Sequence, residues 1–199
     1  MIPIPKRLVN RPRYRGLPIP FIALVRPDGK PDFRVVDEEA RRRVLNNRWC
    51  QLCGEPLGKW VFFIGGTEAA KANHYFEPPT HLDCVIYAMQ VCPFIVGRIE
   101  HVDLGKIEKE YEGKTFARSV TDPASGRVGI QVHADETFSA VRNPYWVIKK
   151  AADWHYALTP DRTLLVVPEA VNKTTEPLHA ESMSAADWEK VEQELIKNE

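Results

Sequence analysis

Four residues constrain this chain more than any others: Cys50 and Cys53 in CQLCGEPLG, and His81 and Cys84 in EPPTHLDC. A Cys-x-x-Cys turn aims two sulfurs at one point because the backbone between them folds into a tight knuckle. Zinc takes thiolate and imidazole ligands tetrahedrally at about 2.0–2.3 Å. Gly54 follows the turn, where a positive φ is often required. The second pair falls at the predicted start of a helix. Pro78, Pro79 and Thr80 suit an N-terminus, Val85, Ala88, Met89 and Cys92 recur at helical spacing, and Pro93 stops the helix. His81 and Cys84 then share one face, at a helix end whose partial positive charge favours a thiolate. The spacing therefore predicts one Zn2+ held by Cys50, Cys53, His81 and Cys84.

The gap of 27 residues between Cys53 and His81 exceeds the roughly 12–20 of common finger patterns, so the intervening elements carry the argument. A knuckle, the aromatic and β-branched strand KWVFFIGG, a less regular returning segment TEAAKANHYFE and a ligand-bearing helix follow in turn. That is the order of a treble-clef finger. Cys92 lies about 12 Å beyond Cys84 along a helix rising 1.5 Å per residue, too far to share the ion, and reads as a small packing residue. The rival arrangement is an all-cysteine site in which the helix ends early and Cys92 replaces His81.

Around this module the pattern is α+β. Seven prolines in residues 1–31 predict an extended arm. FIALVR, the PDGKP turn and DFRVV read as a β-hairpin, and Asp37 caps a helix over EEARRRVLNN with Ala40, Val44 and Leu45 inward. Further on, DLGKIEKEYEG reads as a short helix, TDPASG as a turn, and RVGIQVH, NPYWVIKK and RTLLVVP as strands. Ser184 and Asp187 form a capping pair for a last helix with Trp188, Val191 and Leu195 on one stripe. The expected organisation is residues 1–97 as arm, hairpin and zinc module, with 98–199 as an α+β region of extra β-hairpins and a C-terminal helix packed on it.

At 44% hydrophobic and 27% charged the composition is that of a globular protein rather than a disordered one. No apolar run approaches the roughly 18 residues of a membrane span and no secretory block opens the chain, so a cytoplasmic location is expected. Four cysteines there point to metal rather than disulfides. Net charge is zero but uneven: residues 1–50 carry 12 Lys+Arg against 5 Asp+Glu, and residues 150–199 carry 5 against 10. Arg11, Arg13 and Arg15 on the arm, with Arg41 and Arg42 on the first helix, are candidate phosphate contacts. Against that stand a pI near 7.0 and the usual solvation of such charges.

The stretches RGLPIPF, DGKPDFRVVD, CQLCGEPLG and EPPTHLDCVIYAMQVCPF together resemble a family of small zinc-knuckle proteins found in actinobacteria, other bacteria and their phages. The likeness is specific over residues 15–97; beyond it only RNP before a strand and LLVVPEAV before the final helix are similar. It implies a zinc-binding module with Cys50, Cys53, His81 and Cys84 as ligands, and it brings no established activity.

Three function classes remain. Deaminase chemistry needs His-x-Glu followed by Pro-Cys-x-x-Cys; here the Cys-x-x-Cys comes first, so the pairs His101/Asp103, His133/Asp135 and His179/Glu181 read as loop or strand-edge residues. A treble-clef nuclease would need a second metal with His74 as base. Four protein ligands leave no open position for water at the zinc. The expected function is a non-enzymatic, zinc-stabilised interaction or regulatory module with a protein partner, in a phage or host setting; the alternatives are nucleic-acid binding through the basic arm, and the nuclease.

Overall fold

A computed structural model describes residues 2–98, 119–121, 128–131, 144–159 and 164–197. The arm is extended, as its prolines require, with one 3-10 turn at Lys6–Leu8. It then forms a small hairpin: β1 (Arg13–Tyr14) pairs antiparallel with β2 (Leu17–Pro18). Its tip residues Arg15 and Gly16 take φ of 49° and 82°, the doubly positive geometry whose twist suits a two-residue hairpin. The predicted hairpin follows as β3 (Ala23–Val25) and β4 (Pro31–Asp37). Asp37 accepts a hydrogen bond from the Ala40 amide at 3.0 Å and so opens α1 (Glu38–Asn47), which buries Ala40, Val44 and Leu45 as expected.

Next come β5 (Val61–Gly66), α2 (Thr67–Ala72) and α3 (Leu82–Val91). The later strands are β6 (Ser119–Thr121), β7 (Val128–Gln131), β8 (Trp146–Leu158) and β9 (Leu164–Thr174), and the last helix is α4 (Ala185–Ile196). Two larger sheets result, in the orders β3-β4-β7-β6 and β5-β8-β9.

β5 alternates as a strand covered on both faces must. Phe62 joins Val85, Met89, Ile148, Trp188 and Leu195 in one core. Val61 and Phe63 join Leu45, Tyr75, Ala151, Trp154 and Val166 in the other. The capping pair predicted for α4 is a full capping box between Ser184 and Asp187, and Trp188, Val191 and Leu195 are buried. At the other end of α4 the buried Lys150 ammonium donates to the Leu195 carbonyl at 2.9 Å, a cation at the negative pole of the helix.

Two expectations change. The returning segment is mainly helix α2, because Ala69, Ala70, Lys71 and Ala72 are strong helix formers. Its Tyr75 packs on Phe63 of β5 with ring centres 5.4 Å apart, and just beyond it Phe62 and Thr80 exchange backbone hydrogen bonds of 3.0 and 2.9 Å. The ladder partner of β5 is instead β8, paired from Val61↔Ala151 to Gly66↔Trp146. The segments before and after residue 97 therefore share one sheet. NPYWVIKK and RTLLVVP are the starts of two long strands joined as a hairpin, from Lys149↔Thr174 to Leu158↔Leu164. The expected helix DLGKIEKEYEG, most of the TDPASG turn and the pairs His101/Asp103 and His133/Asp135 lie outside the described residues. No helix among the described residues is long and apolar enough to cross a membrane.

Candidate metal centre

The knuckle forms by local hydrogen bonding. Gly54 N–H donates to the Cys50 carbonyl at 2.8 Å, and Cys50 N–H donates to the Glu55 carbonyl at 2.8 Å. Gly54 sits at φ 80°, and a Cβ there would stand 2.4 Å from Cδ2 of Phe21, so both backbone and space call for glycine. The helix side is set by the Phe62–Thr80 bridge, which delivers the chain to His81 as N-cap of α3, with Cys84 one turn in.

The ligand atoms of Cys50, Cys53, His81 and Cys84 all lie within 4.8 Å of one another, and all four residues are buried. A tetrahedral ion with bonds of about 2.0–2.3 Å sets its ligand atoms roughly 3.3–3.8 Å apart. The Cys53 Sγ to His81 Nδ1 distance of 3.4 Å falls in that range. The imidazole is oriented as a ligand should be. Nε2 lies 3.0 Å from the Pro56 carbonyl, and a carbonyl only accepts, so Nε2 carries the proton and the Nδ1 lone pair faces the sulfurs. Cys53 Sγ also accepts from the Glu55 amide at 3.4 Å.

The thiols themselves call for a cation. Burial opposes charge on Cys50, yet hydrogen bonds from Cys53 and Cys84 outweigh it and hold that thiol well below the usual range. The same hydrogen bonds to Cys50 and Cys53, reinforced by burial, push Cys84 far above it. One thiolate, Cys50, is thus stabilised at the expense of Cys84; a divalent ion bound among the sulfurs would favour the thiolate form of each ligand. Leu8 and Tyr87 pack against the three cysteines, and Arg7 ties the arm across the site through Glu55 at 2.8 Å and Asp83 at 3.6 Å. The sequence marks the four ligands; it does not mark Leu8, Phe21 or the Pro56 carbonyl, whose roles depend on tertiary placement.

Cys92 lies outside the cluster, at the C-cap of α3, where it packs against the core containing Phe62 and Val85. Burial raises its thiol pKa. His74 is exposed just after α2, with Nδ1 2.6 Å from the Ala72 carbonyl, and is not among the clustered ligands. His179 and Glu181 are 3.7 Å apart on a short 3-10 turn.

The arginines divide. Arg41 is fully buried: Nε and Nη2 donate to the Phe76 carbonyl at 3.2 and 2.8 Å, Nη2 donates to Leu164 O at 2.7 Å, and the guanidinium lies 4.5 Å from the Phe76 ring centre. It joins α1 to β9 and is out of reach of any phosphate, which corrects the reading from the sequence. A long guanidinium can satisfy several carbonyls at once, so burial was physically open to it. Arg42 is exposed and paired with Glu38 at 2.8 Å. Arg11, Arg13 and Arg15 stay on the arm, Arg13 and Arg15 exposed and Arg11 half-buried.

No protein-family profile matches the chain, and neither a curated protein nor a solved structure shows significant similarity to it.

Proposed function

We propose that the protein is non-enzymatic, that one structural zinc in a treble-clef-like arrangement secures its fold, and that it acts through its surface on a macromolecular partner. The observation that carries this reading is the closed donor set: three sulfurs and one imidazole nitrogen, all buried and mutually in reach. Four protein ligands fill a tetrahedral zinc, and three thiolates give the ion excess negative charge, which makes it a poor Lewis acid. The order of knuckle, strand, bridge at Thr80 and ligand-bearing α3 supports the treble-clef element. The zinc-knuckle kinship and the phage or host setting implied by the motif belong to the same proposal.

The test combines chelation with an activity screen. Stripping the metal should abolish the cooperative melt, because structural zinc contributes roughly 10 kcal/mol or more to folding in small fingers. The zinc-loaded protein with added Mg2+ or Mn2+ should leave plasmid, single-stranded DNA and RNA intact. Metal-dependent cleavage that disappears in His74→Ala would overturn the reading in favour of a nuclease.

A further inference from the structure

The arm carries an arrangement that the metal centre does not explain. Between Ala23↔Val36 and Leu24↔Asp32 the register of the β3–β4 pair slips, so residues 33–35 have no partner on β3. Irregularities of this kind re-aim side chains. Phe33 lies in that stretch, 52% exposed, with its ring centre 6.5 Å from that of Tyr14 on β1. The Arg15 guanidinium stands 5.4 Å from the Tyr14 ring centre. Arg13 flanks them, exposed, its guanidinium donating to the Val9 carbonyl at 3.3 Å.

At the base of the same hairpin Arg11 donates to the Ile19 carbonyl at 3.0 Å. Arg11 and Arg43 both lie against Phe21, at 5.3 and 5.6 Å from its ring centre. None of Arg11, Arg13, Arg15 and Arg43 has a carboxylate partner among the described residues. Arg26, Arg42 and Arg48 each have a carboxylate partner, and Arg7 has two.

A chain of zero net charge that leaves these four guanidinium groups without carboxylates, beside two aromatic rings, presents a charge pattern that a polyanion completes. The rings narrow the choice. An acidic peptide would use the arginines and leave Phe33 idle, and a duplex hides its base faces in the stack. A single strand offers both phosphates and free bases, and base-on-aromatic stacking beside a basic track is the usual chemistry of single-strand binding. We propose that the β1–β2 hairpin and the Phe33 bulge form a binding surface for single-stranded nucleic acid. A base stacks on Phe33 beside Tyr14, and Arg13 and Arg15, with Arg11 and Arg43 at the hairpin base, follow the backbone. This inference rests on the surface-acting reading above and names its partner.

The test is fluorescence anisotropy of the zinc-loaded full chain with labelled oligo(dT) and oligo(U) of about 20 nucleotides, the two probes separating a DNA from an RNA preference. A DNA duplex of equal length and polyglutamate are the comparisons. Single strands should bind more tightly than either. Phe33→Leu, which keeps an apolar side chain and removes the π face, should weaken binding by about 5- to 100-fold, while Phe33→Trp should retain it. The double variant Arg13→Gln/Arg15→Gln should flatten the salt dependence by roughly 0.7 in log–log slope for each lost phosphate contact, and Lys71→Gln, at an exposed lysine of α2 paired with Glu68, should not. Equal binding of duplex, a Phe33→Leu variant that binds as wild type, or displacement by polyglutamate would each overturn the proposal. So would the absence of binding at low salt in a protein that holds its zinc and melts cooperatively. That last result would leave the zinc scaffold standing, whereas a folded protein without metal would sink the scaffold instead.

Discussion

At the scale of single residues, the geometry of the candidate centre depends as much on supports as on the four clustered side chains. Gly54 combines a positive φ with a position where any Cβ would run into the Phe21 ring. Gly54→Ala should therefore cost about 2–4 kcal/mol, from the left-handed backbone and the overpacked ring together; a urea midpoint close to wild type would show that the knuckle relaxes more freely than this. Two neighbouring arginines make a second comparison. Arg41→Met leaves the Phe76 and Leu164 carbonyls without their buried donor and should destabilise by about 3 kcal/mol. Arg42→Ala removes an exposed guanidinium from a Glu38 carboxylate that Arg41 also faces at 3.8 Å and should cost no more than about 1 kcal/mol. Equal effects in denaturant titrations would contradict the burial of Arg41.

At the scale of elements, α4 shows how local chemistry sets a boundary. Ser184→Ala removes half of the capping box and should lower stability by about 1 kcal/mol, measured by thermal melting. Hydrogen bonds from the Ser184 hydroxyl and backbone amide hold the Asp187 carboxyl below its ordinary value. A depressed carboxyl contributes stability above its unfolded pKa, near 3.9, and loses it as pH falls through the folded value. Acid should thus loosen the first turn of α4, read as a lower protection factor for the Asp187 amide once the intrinsic slowing of exchange in acid is divided out, and Ser184→Ala should blunt that response. Such features are legible in sequence because cap, alternation and stripe lie within a few residues of one another, as at Asp37, Val61–Phe63 and Trp188–Leu195. The Cys50/Cys53 and His81/Cys84 pairs are legible for the same reason, each being a local motif that must find the other. What was hidden is non-local or weakly patterned. β5 finds β8 far downstream in the chain, α2 is only six residues long, and Arg41 carries a charge that alone reads as solvated.

At the scale of the whole molecule, the candidate metal centre and the β5-β8-β9 sheet are joined through β5 and Thr80. The segment before residue 97 supplies the four candidate ligands, but β8 and β9 cover Phe62 and Phe63 through Ile148, Trp154 and Val166. A fragment ending at residue 97 should consequently lack a cooperative melt even with zinc present, as followed by circular dichroism; a sharp transition in that fragment would show that the zinc module is an independent domain. The most direct test of the central claim is zinc K-edge X-ray absorption on the purified full chain, with metal content measured in parallel. One zinc per chain is expected, with three sulfurs at about 2.3 Å and one nitrogen at about 2.0–2.1 Å, unchanged in Cys92→Ser. A four-sulfur shell that collapses in Cys92→Ser, or a folded protein holding no metal, would contradict it.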